Sequence, residues 1–511
     1  MLNKISDFLL KAGNILVIPF FCIIFIISTK EMIAKSYLSA IIVLPLILIL
    51  AAAQKYRSSK IQKNSGSGIK EYITKHRLIF WIAIQIVSVL ISVLFIKKIQ
   101  IRHSWDWGYI LDWITAYGKS GELGDLTYFA RYPNNQAWLL FLMKYVDVLK
   151  LSGLKITAEL VDRAAAALSL CFTQITIFLV YETSRKIFRN EVKSLAVGVA
   201  AVCALPFHMY AKFAYTDTVS MMLGIFAVYM YECIRTGKNK FLKVIEIIAF
   251  ALAAVLIFKI KILVFILVIG VLIDAVLSAK NYKRTIASVL AAVILFAGFN
   301  TVLSTVISKS LPITDEMMDT YEFPPTHWVM MGLKGTGSFD QTEVDFSENA
   351  GNYQEKKDAE IEVIRQRVSD FGARGLLNHL FNVKMTRVWG TSLFCANDYS
   401  TRHHMFESSL YVRMFKPGGD LARIPGTFTW ICYFILIAGI LIEPILSFRK
   451  KSGEQKCIAL RYAVYGVALF MLIWECNARY IFPFLPVMII LSFRGWDLLN
   501  EKITKRKKKN K

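Results

Sequence analysis

The chain has 511 residues, 55% of them hydrophobic, and a mean hydropathy of +0.47; that much apolar surface must be covered by lipid, which excludes a soluble globular domain. The formal charge of +24 does not point to nucleic acid, because Lys and Arg fall in short stretches between apolar runs instead of on one soluble patch. The eight cysteines form no CxxC pair and lie mostly in or beside apolar runs, so neither a disulfide framework nor a zinc site is expected.

A bilayer crossing takes about 20 apolar residues, with shorter runs tolerated at some cost. Runs at 14–28, 38–53, 78–96, 157–180, 194–210, 217–234, 241–257, 262–278, 286–306, 427–447, 459–475 and 480–497 predict an all-α polytopic membrane protein of about twelve helices. The first run lacks a small-residue cleavage site and reads as a retained helix, not a signal peptide. Basic residues crowd Lys55–Arg77, Arg185–Arg189, Arg235–Lys243, Lys280–Arg284, Arg449–Lys451 and the tail Lys505–Lys511. With twelve spans all of these fall on one side, which the positive-inside rule makes cytoplasmic together with both termini.

The apolar stretch Gln136–Leu149 is short and carries Lys144 and Asp147. Counting it as a span would put Arg185–Arg189 outside, so it is expected to lie flat in the outer interface as an amphipathic helix; the alternative is a short true span. Two long segments then stand outside, Lys97 to about Thr157 and Ser308 to about Thr427, and loops of that length usually carry function. Four regions follow: 1–77, a two-helix extension with a basic loop; 78–306, the transmembrane core; 307–426, the outer loop region; and 427–511, three helices and a basic tail.

Candidate chemistry gathers on the outer side. Asp106 lies between Trp105 and Trp107, where flanking indoles would partly desolvate a carboxylate and suit it to general-base work; the alternative is a solvated acid beside an aromatic belt. Asp112 and Asp125 are further acids of the same loop. Arg131, in the string YFARYPNN, stands at a helix start beside Pro133, with Asn134 or Asn135 as the cap; it either snorkels to headgroups or grips a phosphate. Asp217 opens the span 217–234 and either caps it or serves the site. Lys259 and Lys261 occupy an outer turn against the positive-inside rule, an expensive place for a cation unless an anion or water meets it. Arg479 stands four residues after Glu475 at the start of the last span, either as a surface ion pair or as a site cation. In the large loop, His327 is a candidate hydrogen-bond donor and Arg387 a second cation. The glycines Gly332, Gly335 and Gly337 lack the strand–turn–helix context of a nucleotide site.

Taken in order, these features resemble the GT-C superfamily of polyprenyl-phosphate-sugar-dependent glycosyltransferases, nearest to protein O-mannosyltransferases and lipid A aminoarabinose transferases and, in the strings HWVMMGLKGTGSFD, RVWGTS and ECNARYIFPFLP, to Gram-positive members. The resemblance implies that Asp106 is the catalytic base, that RYPNNQAWLL is the interfacial segment, and that Asp217 is the acid at the start of a later helix. It further implies sugar transfer from a polyprenyl-phosphate carrier such as undecaprenyl phosphate to an acceptor hydroxyl outside the plasma membrane. The acceptor is then a cell-envelope glycopolymer or a protein. Arg131, Lys259, Lys261 and Arg479, with Asp217, Asn134, His327 and Arg387, would bind the substrates. Asp106 is followed by Trp107, where many members carry a second acid, so a metal is unsupported; no cofactor is expected, with a divalent metal left open as the alternative. The competing classes are a lipid-linked glycan flippase, which would place more charge inside the spans, and a non-catalytic assembly partner, in which Asp106 would stand far from Lys259, Lys261 and Arg479.

Overall fold

Nearly every residue that folds into a regular element is helical; the one extended pairing among the described residues is a bridge between Ile101 and His404. The structure, a computed structural model, describes residues 2–43, 45 and 66–509. The first expected span is contained in a longer helix, α1 (Leu2–Lys35), and most of the expected span 38–53 lies outside the described residues. After a short helix at Gly66–Lys75 come α2 (Arg77–Lys98) and α3 (Trp105–Ser120). The sequence presented α3 as loop, yet Trp107, Ile110, Leu111 and Ile114 repeat at helical spacing and are buried, and Asp106 in the first turn complements the helix dipole. Helix α4 (Gln136–Leu151) is the expected short amphipathic helix.

The core continues with α5 (Ala158–Phe188), α6 (Glu191–Cys203), α7 (Thr216–Thr236), α8 (Lys240–Ile260), α9 (Phe265–Leu277) and α10 (Tyr282–Ser310). Polar side chains start several of them: Thr157, Asn190, Asn239 and Asn281 each accept a first-turn amide. The run 194–210 is not one helix. It breaks at Ala204 because Pro206 has no amide for the Val202 carbonyl; His208 Nε2 lies 2.6 Å from that oxygen instead. Residues 307–426 fold into helices, among them α11 (Pro325–Gly332), α12 (Gln341–Glu348) and α13 (Tyr353–Asn378). A reciprocal Asn352–Glu355 capping box starts α13. Helices α14 (Arg423–Ser447), α15 (Ile458–Ile473) and α16 (Leu485–Lys509) close the chain, the last prefaced by short turns from Ala478.

Eight of the described helices are long and apolar enough to cross a membrane, and two more, Ile262–Leu277 and Ile458–Ile473, are apolar but shorter. Helices α2 and α10 leave most of their apolar surface uncovered, as lipid-facing helices do, whereas α16 is nearly enclosed. Helix α16 meets α14 backbone to backbone: a Cβ on Gly495 would fall 1.9 Å from the Gly439 carbonyl, so only glycine permits this crossing. Among the first, fourteenth and fifteenth helices, buried Arg461 binds both oxygens of Glu443, at 2.7 and 2.8 Å, and Asn14 Oδ1 at 2.7 Å. The Arg185 pairs with Glu182 and Glu191, and the Arg235 pair with Glu232, lie at one end of the bundle. The turns bearing Asp106, Asp217, Lys261 and Arg479 lie at the other.

Candidate functional site

The site starts from a strained residue. Trp105 has φ of 46°, a left-handed conformation rarely adopted by a bulky side chain. Its turn lets the Ser104 carbonyl accept the Gly108 amide at 3.1 Å and start α3 with Asp106 in its first turn. Gly108 is required there, since a Cβ would lie 2.7 Å from the His103 backbone. Strain of this kind persists where surrounding structure fixes it and gathers at functional sites.

Two phenols hold the Asp106 carboxylate. Tyr128 donates to Oδ1 at 2.9 Å and Tyr215 to Oδ2 at 3.2 Å, and Asn135 donates to the Tyr128 oxygen at 3.2 Å. Burial, and next the Asp106 charge, push both phenols well above their ordinary range, so they remain protonated donors. The carboxylate is 38% exposed, open enough to meet a substrate.

Arg479 joins Asp106 to a second acid. Its Nη2 lies 4.0 Å from Asp106 Oδ2 and its Nε 3.7 Å from Asp217 Oδ2, ionic contacts longer than hydrogen bonds. Lys261 donates to the other Asp217 oxygen at 2.6 Å. Asp217 and Arg479 are buried, and Lys261 is nearly so. The guanidinium sits among the rings of Trp105, Tyr215, Tyr399 and Tyr480, with centroids at 4.8–5.6 Å, and Lys261 lies 5.3 Å from the Tyr480 ring. Asn477 starts the Arg479 turn by accepting its amide at 2.9 Å. Glu475 turns away from Arg479: it accepts from the Tyr480 phenol at 2.6 Å and the Phe339 amide at 3.1 Å, and burial raises its pKa.

Thus Asp106, Asp217, Lys261 and Arg479 come together, two carboxylates against two cations. The remaining candidates stand apart. Lys259 lies on the last turn of α8, half-buried and near the Phe258 ring, with no ion pair among the described residues. Arg131 pairs with Glu348 at 2.8 Å, tying the Tyr128 loop to α12. Asn134 is exposed and donates to Asn135, and it is Asn135 that reaches Tyr128. Arg387 is exposed in the outer region. His327 is fully buried: its Nδ1 lies 2.7 Å from Ser347 Oγ, and Ser347 donates to Glu360 at 2.7 Å. Burial pulls His327 down to about 4, so the Glu360 contact at 3.7 Å is not an ion pair near neutral pH. Asp112 binds His103 at 2.6 Å, away from the Asp106 carboxylate. Neither Tyr128, within the string YFARYPNN, nor Tyr215 was expected in the site from the sequence; a tyrosine two residues before Asp217 was the available signal.

A family model described as "Conserved hypothetical integral membrane protein" matches residues 8–498. No curated protein matches the chain. Two solved structures of ArnT from Cupriavidus metallidurans resemble it, one bound to undecaprenyl phosphate and one in the apo state. They share 12% and 13% identity, each with a TM-score of 0.35, over 83% of this chain and 78% and 77% of theirs. Superposition that loose carries no statement about activity.

Proposed function

The chain belongs to the family of conserved hypothetical integral membrane proteins, and from that premise we propose that it is a GT-C-type glycosyltransferase taking a sugar from a polyprenyl-phosphate carrier. The acceptor is a hydroxyl on the extracytoplasmic face of the plasma membrane, with both termini cytoplasmic. The observation that carries this reading is the sharing of Arg479 between a half-open acid, Asp106 at 4.0 Å, and a buried one, Asp217 at 3.7 Å, with Lys261 on the latter.

Asp106 takes the proton of the acceptor hydroxyl as its oxygen attacks the anomeric carbon. The new C1–O bond forms while the bond from C1 to the carrier phosphate breaks, with inversion, and polyprenyl phosphate leaves. Charge moves in step. Protonating Asp106 removes a negative charge beside Arg479 as the departing phosphate gains one, so the guanidinium is freed toward the leaving group when it is needed. Lys261, held by Asp217, adds a fixed positive charge behind it. A donor already activated on lipid needs no nucleotide-binding domain. The charges buried within the helices favour transfer over translocation of the carrier: Arg461 with Glu443, and Arg235 with Glu232, are paired in place.

The test is mass spectrometry of envelope glycans in a strain lacking the gene, complemented with wild type or Asp106→Asn. Wild type restores a glycan that the deletion loses, and Asp106→Asn at equal membrane abundance does not. An unchanged glycan profile in the deletion strain removes the reading.

A further inference from the structure

A row of aromatic rings runs from Tyr109 past Tyr128, the ring that holds Asp106, to Trp474. Tyr109 packs on Tyr128 with centroids 4.3 Å apart, Tyr128 on Tyr132 at 5.0 Å, Tyr132 on Trp328 at 6.1 Å, and Trp328 on Trp474 at 6.2 Å with planes inclined by 21°. Rings serving only to join the first outer loop to α11 would be enclosed. Here Tyr109 is 40% exposed and the other four keep part of their surface open. The indole N–H groups of Trp328 and Trp474 have no acceptor among the described residues and are not enclosed, unlike those of Trp105 and Trp107. Charged groups border the row: Arg131 and Glu348 pair at 2.8 Å while remaining 24% and 36% exposed.

We infer that this row is a carbohydrate platform, seating a glycan acceptor with its receiving hydroxyl beside Asp106; the inference rests on the transferase reading above and names its acceptor class. A pyranose presents C–H bonds on its faces, which suit the electron-rich face of an aromatic ring, and hydroxyls around its edge, which suit indole N–H, guanidinium and carboxylate groups. An acyl chain would match the rings but not the Arg131–Glu348 pair, and the rings lie outside the helices long and apolar enough to cross a membrane. An extended peptide could not add as a strand, since the described residues contain none, and a peptide lying on the rings would compete with the glycan in the test below.

Saturation-transfer NMR on the full-length protein in lipid nanodiscs decides the matter, with cellohexaose, chitohexaose, maltohexaose and mannohexaose as probes and a Ser/Thr-rich peptide as competitor. At least one hexasaccharide should bind, with its ring protons saturated from aromatic resonances. Trp328→Ala and Trp474→Ala should each weaken it by about tenfold, the weight of one ring contact. Asp106→Asn should still bind it. Where a tryptophan variant fails to fold, Tyr109→Ala, at the exposed end of the row, gives the same reading. Binding of none of the four, equal binding by wild type and the ring variants, or displacement by the peptide overturns the platform. Each of those results leaves the transferase reading standing if Asp106→Asn still fails to restore the glycan.

Discussion

The phenol of Tyr128 donates to Oδ1 of Asp106 across 2.9 Å, and the amide of Asn135 fixes that phenol from behind at 3.2 Å. On the proposed mechanism Tyr128 would therefore position Asp106 without needing to touch the reacting atoms. A hydrogen bond to a charged group contributes about 1.5–3 kcal/mol, so Tyr128→Phe should lower turnover by roughly 10–100-fold. Asp106→Asn should cost roughly 10²–10⁴. Single-turnover transfer by purified variants of equal thermal stability measures both, and a Tyr128→Phe rate equal to wild type would remove the positioning role.

The Lys261–Asp217 pair predicts a separation of stability from activity. Lys261→Met leaves the buried Asp217 carboxylate with Arg479 alone at 3.7 Å, and uncovering one partner of a buried pair costs about 3–5 kcal/mol. The double variant Lys261→Met/Asp217→Asn removes both charges, leaves Arg479 its Asp106 contact at 4.0 Å, and should regain part of that stability. It should remain inactive, because the cation behind the leaving phosphate is gone. Melting temperatures in detergent read the first effect and transfer assays the second; additive losses of stability in the double variant would contradict the coupling.

The four residues that come together stood out in the sequence for different reasons: Asp106 as a carboxylate between two indoles, Asp217 and Arg479 as charges at the start of apolar runs, and Lys261 as a cation where the positive-inside rule disfavours one. Lys259 and Lys261 carried the same anomaly, and one backbone turn separates their fates. Helix α8 ends at Ile260, and Lys261 takes φ −156° and ψ 88°, leaving the helical register and reaching Asp217. Lys259 keeps that register, and among the described residues it meets no acid. The phenols were obscured for another reason: tyrosine at this depth is an ordinary interfacial anchor. Tyr215 meets Asp106 across 109 residues of chain, a pairing with no local periodicity. The break at Ala204 was written plainly in Pro206, but hydropathy sums over it.

The buried Arg461–Glu443 pair holds the first helix against α14 and α15 at a distance from the site. Glu443→Leu should destabilise the fold by about 3–5 kcal/mol, since it strands a buried guanidinium. Glu443→Leu/Arg461→Met should recover much of the loss, as apolar replacement of a whole buried pair is often neutral. Chemical denaturation in mixed micelles measures the difference. If the double variant is no better than the single one, the bonds of Arg461 to Asn14 and Gln455 matter more than the carboxylate.

The His327–Ser347–Glu360 chain gives the 307–426 region a defined acid sensitivity. Ser347 donates its proton to Glu360, so His327 Nδ1 must donate to Ser347, leaving Nε2 as a buried acceptor without a partner. The ring is thereby held neutral, and burial pulls His327 from 6.5 down to about 4. Above pH 6.5 the ring is neutral folded or unfolded. As pH falls from about 6.5 toward about 4, the unfolded chain takes up this proton and the fold does not, so stability is lost across that window. The loss is about 3 kcal/mol at most, from 1.36 kcal/mol per pKa unit. Glu360 works the other way, since burial raises its pKa and its neutral form suits the fold; its contribution diminishes as pH rises through its folded value. His327→Gln removes the first titration and keeps the second. Melting temperatures from pH 7 to pH 4 should therefore fall less steeply in His327→Gln than in wild type, and parallel profiles would mean that the ring's protonation does not control the stability of the outer region.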